Sequence, residues 1–263
     1  MQSRHRLREY DRFADIYTVW TESAASTRAN RPFYVEAYLA AEGPVVELGI
    51  GDGRIAVEAA VHGCKVIGVD HSAAMLDCCR DRARRAGVLD DLTLIQADFR
   101  DFELHRPAGL IALPYHSIGH LTTSDEKQDA VRHIFQCLRP GGMFIFDDFL
   151  MTPTLMGHMR EVQLRAAYQS ESGMDRLLWV TSLVDESTQS ISVVTWEDEL
   201  DAEGMLAQRQ YRRLSLSWLE PAQARALLTD AGFEVETCFG DFQGGPFAED
   251  TAQEQVWVAR KPG

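Results

Sequence analysis

Two histidines, His116 and His120, stand four residues apart in the run Pro114-Tyr115-His116-Ser117-Ile118-Gly119-His120-Leu121. An imidazole that titrates near pH ~6.5 can take a proton from an attacking group at neutral pH, or hold its lone pair in line, and such help is worth ~10²- to 10⁴-fold in rate. Earlier in the chain, Val45-Val46-Glu47-Leu48-Gly49-Ile50-Gly51-Asp52-Gly53 sets three glycines at alternate positions behind a short apolar run. Glycine tolerates the positive φ of a sharp strand-to-helix turn and puts no Cβ between backbone and ligand, so the stretch reads as a ligand-cradling loop. A dinucleotide fingerprint would need its third glycine at position 54, where Arg54 stands. Glu47 would likewise repel a pyrophosphate and welcome a cationic ligand, and nicotinamide chemistry is disfavoured. Asp70 ends the next apolar run, 19 residues after Gly51, the interval from which a carboxylate reaches ribose hydroxyls. Ala97-Asp98-Phe99 closes a third run with a polar and an aromatic side chain suited to an adenine amino group and ring.

The elements that must position these residues follow from the pattern. Strands are predicted at 45–48, 65–70, 92–96, 109–113 and 143–148, with helices between them, and this alternation means a parallel sheet with right-handed crossovers. The histidine run then lies at the carboxyl end of a central strand, where an open α/β sheet binds its ligand. Ser72 is placed to cap the helix that Gly87 ends, and Arg139-Pro140-Gly141-Gly142 turns into the fifth strand. Residues 1–44 read as helical, with Tyr10, Phe13, Tyr17 and Trp20 on one face and a second helix beginning at Asn30-Arg31-Pro32. After a helix bearing Met151, Leu155, Met156 and Met159, three alternating stretches near 177–184, 190–200 and 206–216 read as an antiparallel insert, a cap or a homodimer contact. The core resumes with a helix from Glu220-Pro221 and two last strands around 232–236 and 255–259. Three segments result, 1–150, 151–217 and 218–263, the insert being the middle one.

Composition narrows the partners. The 263 residues carry 26 basic and 40 acidic side chains, a formal net charge of −14, which repels nucleic acid and anionic membrane surfaces. No apolar run approaches the ~18 residues of a membrane span and the first ten residues have no signal-peptide core, so a cytoplasmic protein is expected. Five cysteines without a Cys-x-x-Cys pair exclude a disulfide framework and common zinc spacings. Asp147 and Asp148 suit an amine or a helix cap better than magnesium, and no metal is expected.

Taken together, Glu47 to Gly53, Gly68-Val69-Asp70-His71-Ser72 with Met75, Ala97-Asp98-Phe99 and Arg139 to Gly142 resemble the class I S-adenosylmethionine (SAM)-dependent methyltransferases. The Ser117 to Leu121 segment is similar to the loop of sugar-amine N-methyltransferases from antibiotic pathways, in which the histidine faces the acceptor. The resemblance covers residues 1–150 and 218–263. It implies a doubly wound, seven-stranded, mostly parallel Rossmann-like sheet, with SAM as cofactor and a small-molecule amine or hydroxyl as acceptor. It assigns cofactor contacts to Tyr17, Glu47, Gly49, Gly51, Asp70, His71, Met75, Ala97, Asp98, Phe99 and Leu113, and the catalytic positions to His120 and Tyr10. A SAM-binding protein without catalysis is the alternative from another class; polar residues at 116 and 120 argue against it.

Overall fold

The computed structural model describes residues 10–23, 25–170 and 172–263, the side chains of Tyr10 and of residues 25–27 excepted. Its larger sheet has the order β10-β11-β5-β4-β1-β2-β3. The strands are β1 (Val45–Leu48), β2 (Val66–Asp70), β3 (Leu92–Gln96), β4 (Ala108–Leu113), β5 (Leu138–Phe149), β10 (Glu234–Phe239) and β11 (Glu254–Arg260). β11 runs antiparallel to both neighbours, whereas β4 is parallel to β1 and to β5. The chain winds outward from β1 through β2 to β3, then returns to β4 on the other side. The gap between the carboxyl ends of β1 and β4 is therefore the switch point at which such sheets bind ligands.

Strand alternation divides the core between two faces. Val46, Leu48, Phe144 and Phe146 pack on one side with α5 (Ser124–Cys137) and α7 (Pro221–Asp230). Val45 and Ile145 pack on the other with α2 (Ala25–Ala40), α3 (Ala56–Val61) and α4 (Ala73–Ala86). Ser72 caps α4 by accepting from the Met75 amide, and Gly87 closes it in the left-handed conformation. Pro32, predicted at a helix start, lies inside α2. A proline removes one helical hydrogen bond, whereas Tyr34 and Tyr38 downstream are fully buried, each contributing ~1.5–3 kcal/mol or more; packing decides.

The insert is a four-stranded antiparallel sheet, β6 (Gln163–Gln169), β7 (Asp175–Asp185), β8 (Ser190–Leu200) and β9 (Leu206–Ser217), entered through α6 (Pro153–Arg160). Its inner face sets Leu178, Ile191, Val193 and Leu214 against Phe13 and Ile16 of the segment that forms α1 (Ala14–Ser23). Three of the strands match the pattern read above, and β6 is the addition. Its Gln-Leu-Arg-Ala-Ala-Tyr-Gln sequence lacks β-branched residues, and a register shift between Leu164 and Ala166 breaks its alternation. Among the described residues no helix is long and apolar enough to cross a membrane.

Candidate active site

The cradle is built by backbone. Gly49, Gly51 and Gly53 have φ of 65°, 57° and 75°, the left-handed region, as the tight turn after β1 requires. A Cβ on Gly51 would lie 3.3 Å from both the Met75 methyl and the Tyr17 hydroxyl; on Gly49 it would lie 3.2 Å from Ser117 Oγ and 3.3 Å from the Phe99 ring. Tyr17, Gly51 and Met75 thus form one group, and Gly49, Phe99 and Ser117 another. Asp70 ties them to β2: its carboxylate accepts from the Gly51 amide and from the Ser72 amide, each at 2.9 Å. Burial pushes its carboxyl above the usual range, opposed by those amides and by His71, whose Nδ1 lies 3.8 Å away. Each carboxylate oxygen keeps a second lone pair for a ribose diol.

Other predicted contacts have protein partners. Asp98, expected near the adenine, is held by Arg100 in a fork at 2.8 and 2.7 Å. Burial opposes ionisation there, yet the Arg100 hydrogen bonds outweigh it and keep the carboxyl below its ordinary range. Glu47 faces α2, accepting from the Tyr38 hydroxyl at 3.0 Å, and burial drives its pKa up to about 8. Leu113 sits fully buried among core side chains, and the Ala97 amide donates to the Asp70 carbonyl at 3.1 Å. The Tyr10 side chain lies outside the described residues.

The histidine loop is held by a second carboxylate. Tyr115 and His116 have φ of 61° and 55°, left-handed values that cost non-glycine residues ~1–2 kcal/mol each. Asp147 offsets the cost: it accepts from the Tyr115 and His116 amides at 2.9 Å each and from the Tyr34 hydroxyl at 2.5 Å. Its neighbour Asp148 points to the opposite sheet face and accepts from the Leu219 amide at 2.8 Å, so the two cannot share an ion. His116 bonds through Nε2 to Glu254 at 2.8 Å and stacks on Phe149 with centroids 3.8 Å apart. Burial alone would lower its pKa, but Glu254, Asp147 and Asp148 outweigh it and raise the value to about 9. His120, one turn on, is the reverse. Burial first, then the charges of His71, Lys127 and His116, push it down to about 3. At neutral pH His116 is held in its charged form and His120 in its neutral form, with one ring nitrogen a donor and the other an acceptor.

Two residues that the pattern reading passed over complete the loop. Lys127 of α5 is buried, donating to the Leu121 carbonyl and, at 2.6 Å, to Ser217 Oγ. Ser217, which ends β9, lies 3.2 Å from the Gly119 carbonyl, and a Cβ on Gly119 would come within 2.5 Å of the Ser217 carbonyl. Lysine on a helix normally marks a solvated face; only its burial shows the role.

Residues 45–142 match the methyltransferase-domain family Methyltransf_25. These residues form a methyltransferase domain. Over 82% of its length it is 24% identical to a cypemycin N-terminal methyltransferase of a Streptomyces species, spanning 83% of that protein. It spans about half of other curated relatives, such as a putative methyltransferase, YqeM, of Bacillus subtilis at 26% identity over 52% of this chain and 54% of that one. The fold is shared with the CcbJ methyltransferase of Streptomyces caelestis (TM-score 0.79, 24% identity, 95% and 96% of the two chains covered). It is also shared with SAM-bound CalS10, an amino pentose methyltransferase of Micromonospora echinaspora (TM-score 0.66, 19% identity, 90% and 92% covered). The methyltransferase is SAM-dependent, and its cradle fits that cofactor: the places that Cβ atoms would fill at Gly49 and Gly51 are bordered by Phe99, Met75 and Tyr17.

Proposed function

We propose that this methyltransferase moves the methyl group of SAM to the amine nitrogen of a small molecule in a natural-product pathway. The observation that carries the reading is a neutral His120 in a loop whose Ser117 borders the glycine cradle. When bound, SAM supplies a methyl carbon already activated by its sulfonium charge. The chain's own task is then positioning and water exclusion. Tyr17, Gly49, Gly51, Asp70, Met75 and Phe99 hold the cofactor, and the neutral His120 imidazole accepts from an acceptor N–H so that the amine's lone pair faces the cradle. Tyr10 is assigned to the acceptor on the N-terminal side. An amine fits better than a hydroxyl because a group kept neutral with a pKa about 3 is a poor store for an alcohol's proton, while a neutral amine needs only orientation before it attacks. The N-terminal methyltransferase and the amino pentose methyltransferase among the similar proteins support the same choice.

S-adenosylhomocysteine (SAH) at 100 times its dissociation constant should stabilise the protein by ~2.7 kcal/mol, raising the melting midpoint by about 5 to 10 °C. A shift with NAD and none with SAH would overturn the cofactor assignment. A labelled-methyl screen over amines, phenols and sugars, read by product mass spectrometry, should find its substrates among the amines; exclusive labelling of hydroxyls would replace N- by O-transfer.

A further inference from the structure

The arginines of the insert are mostly neutralised by carboxylates: Arg160 by Glu186, Arg176 by Glu197 and Glu199, Arg209 by Asp198, and Arg212 by Asp15. Arg165 is different. Its guanidinium carbon lies over the Trp20 ring, 4.7 Å from the centroid. Among the described residues it has no carboxylate partner, and its Nε, shut off from solvent, has no hydrogen-bond partner.

Its position in β6 is also irregular. Leu164 pairs with Trp179 and Ala166 with Leu178, so Arg165 is the extra residue of a β-bulge. Leu164 is exposed and Ala166 packs into the inner cluster. Regular alternation would turn Arg165 and Ala166 to opposite faces, but the bulge lets both lie on the inner side, and bulges recur beside active sites because they re-aim a side chain. Here the side chain is aimed at the place where the insert meets α1 and the histidine loop: Tyr115 is influenced by both the Trp20 side chain and the Arg165 charge. An arginine stacked on an aromatic ring presents a planar fork matched to two oxygens of a carboxylate or phosphate.

We propose that Arg165 is an oxyanion anchor of the acceptor site, so that the methyl acceptor carries a carboxylate or a phosphate besides its amine. This rests on the N-transfer reading above for the word acceptor, while the anion site stands on the bulge, the contact with Trp20 and the buried Nε that has no hydrogen-bond partner. The chain's net charge of −14 gives the anchor a second effect: without a local cation, an anionic acceptor would be repelled from the site.

The test uses the full chain saturated with SAH. Arginine Nε–H signals are followed by NMR while sodium acetate or inorganic phosphate is added, with sodium chloride at matched ionic strength as control; the Arg165 signal is identified by its loss in Arg165→Lys. A saturable shift of that signal with acetate or phosphate, absent with chloride, supports the anchor, and the stronger of the two anions tells carboxylate from phosphate acceptors. No saturable shift overturns it. In methyl-transfer assays, alanine is compared with alaninamide and glucosamine 1-phosphate with methyl glucosaminide. The anionic member of one pair should be favoured at least tenfold in kcat/KM, falling to twofold or less in Arg165→Met with SAH affinity unchanged. A tenfold loss of SAH affinity in Arg165→Met would instead assign the arginine to the amino-acid carboxylate of the methyl donor and overturn the acceptor role. If no amine is methylated but the Arg165 signal still saturates, the transfer reading fails and the anion site remains.

Discussion

The cradle after β1 and the histidine loop after β4 face one another at the switch point, yet they are held in opposite ways. The cradle is closed by short-range bonds, Asp70 reaching Gly51 over 19 residues and Ser72 over two. The histidine loop depends on partners far along the chain: Asp147 at 31 and 32 residues, Ser217 at 96 and 98, and Glu254 at 138. On the function proposed above, local bonds would define a cofactor site that can be kept while acceptors change. Distant ones would make the acceptor side answerable to the whole fold, including the insert.

The largest break in this contrast should come from Asp147→Ala. It leaves two amides and a phenol without a buried partner, at ~1–3 kcal/mol each, so a loss of about 3–5 kcal/mol and a fall of roughly 8 to 15 °C in calorimetric midpoint are expected. A fall under about 3 °C would mean that the loop keeps its left-handed turn unaided. Next is the Glu254 contact. The pKa of His116 in the folded protein, about 9, lies above its unfolded value of ~6.5. The stabilisation is therefore complete below pH ~6.5 and lost as pH rises through about 9, and its full size is roughly 3 kcal/mol. Glu254→Gln should melt well below the parent at pH 6, with the gap closing by pH 9.5; a constant gap would remove the charge from the explanation.

On the cradle side, Asp70→Ala should raise the SAH dissociation constant about 10- to 100-fold by calorimetry, equivalent to ~1.5–3 kcal/mol. An unchanged constant would place the ribose elsewhere. The smallest expected effect belongs to His120→Asn, a loss of about tenfold in kcat, or ~1.4 kcal/mol. Since His120 is neutral above about pH 3, the pH profile between 6 and 8.5 should keep its shape; a displaced acid limb would make this histidine the titrating base.

The same contrast explains what could be read from the residues in order. Gly49, Gly51, Asp70, Met75 and Phe99 lie in short motifs whose spacing is itself the geometry, and the seven-stranded sheet followed from runs of apolar residues between helices. Asp98 shows the limit of that reading: its place after β3 was legible, but its engagement by Arg100 depends on a rotamer. Lys127, Ser217 and Glu254 carry no local signature, because a buried lysine and a solvated one look alike until α5 and β9 are brought together. Strand β6 escaped for a related reason, since its bulge breaks the alternation by which strands are found.

Ser217 ends the last strand of the insert and also touches the carbonyls of Gly119 and Leu121 on either side of His120. In a chimera that takes its insert from another enzyme, this joint must travel with the graft. A donor sheet ending in a bulkier residue would press on Gly119, where not even a Cβ fits beside the Ser217 carbonyl. The substitution Ser217→Val in the native insert is thus the simplest imitation of a mismatched graft, and restoring serine at the seam is the first repair to make in any exchange of acceptor specificity built on this scaffold.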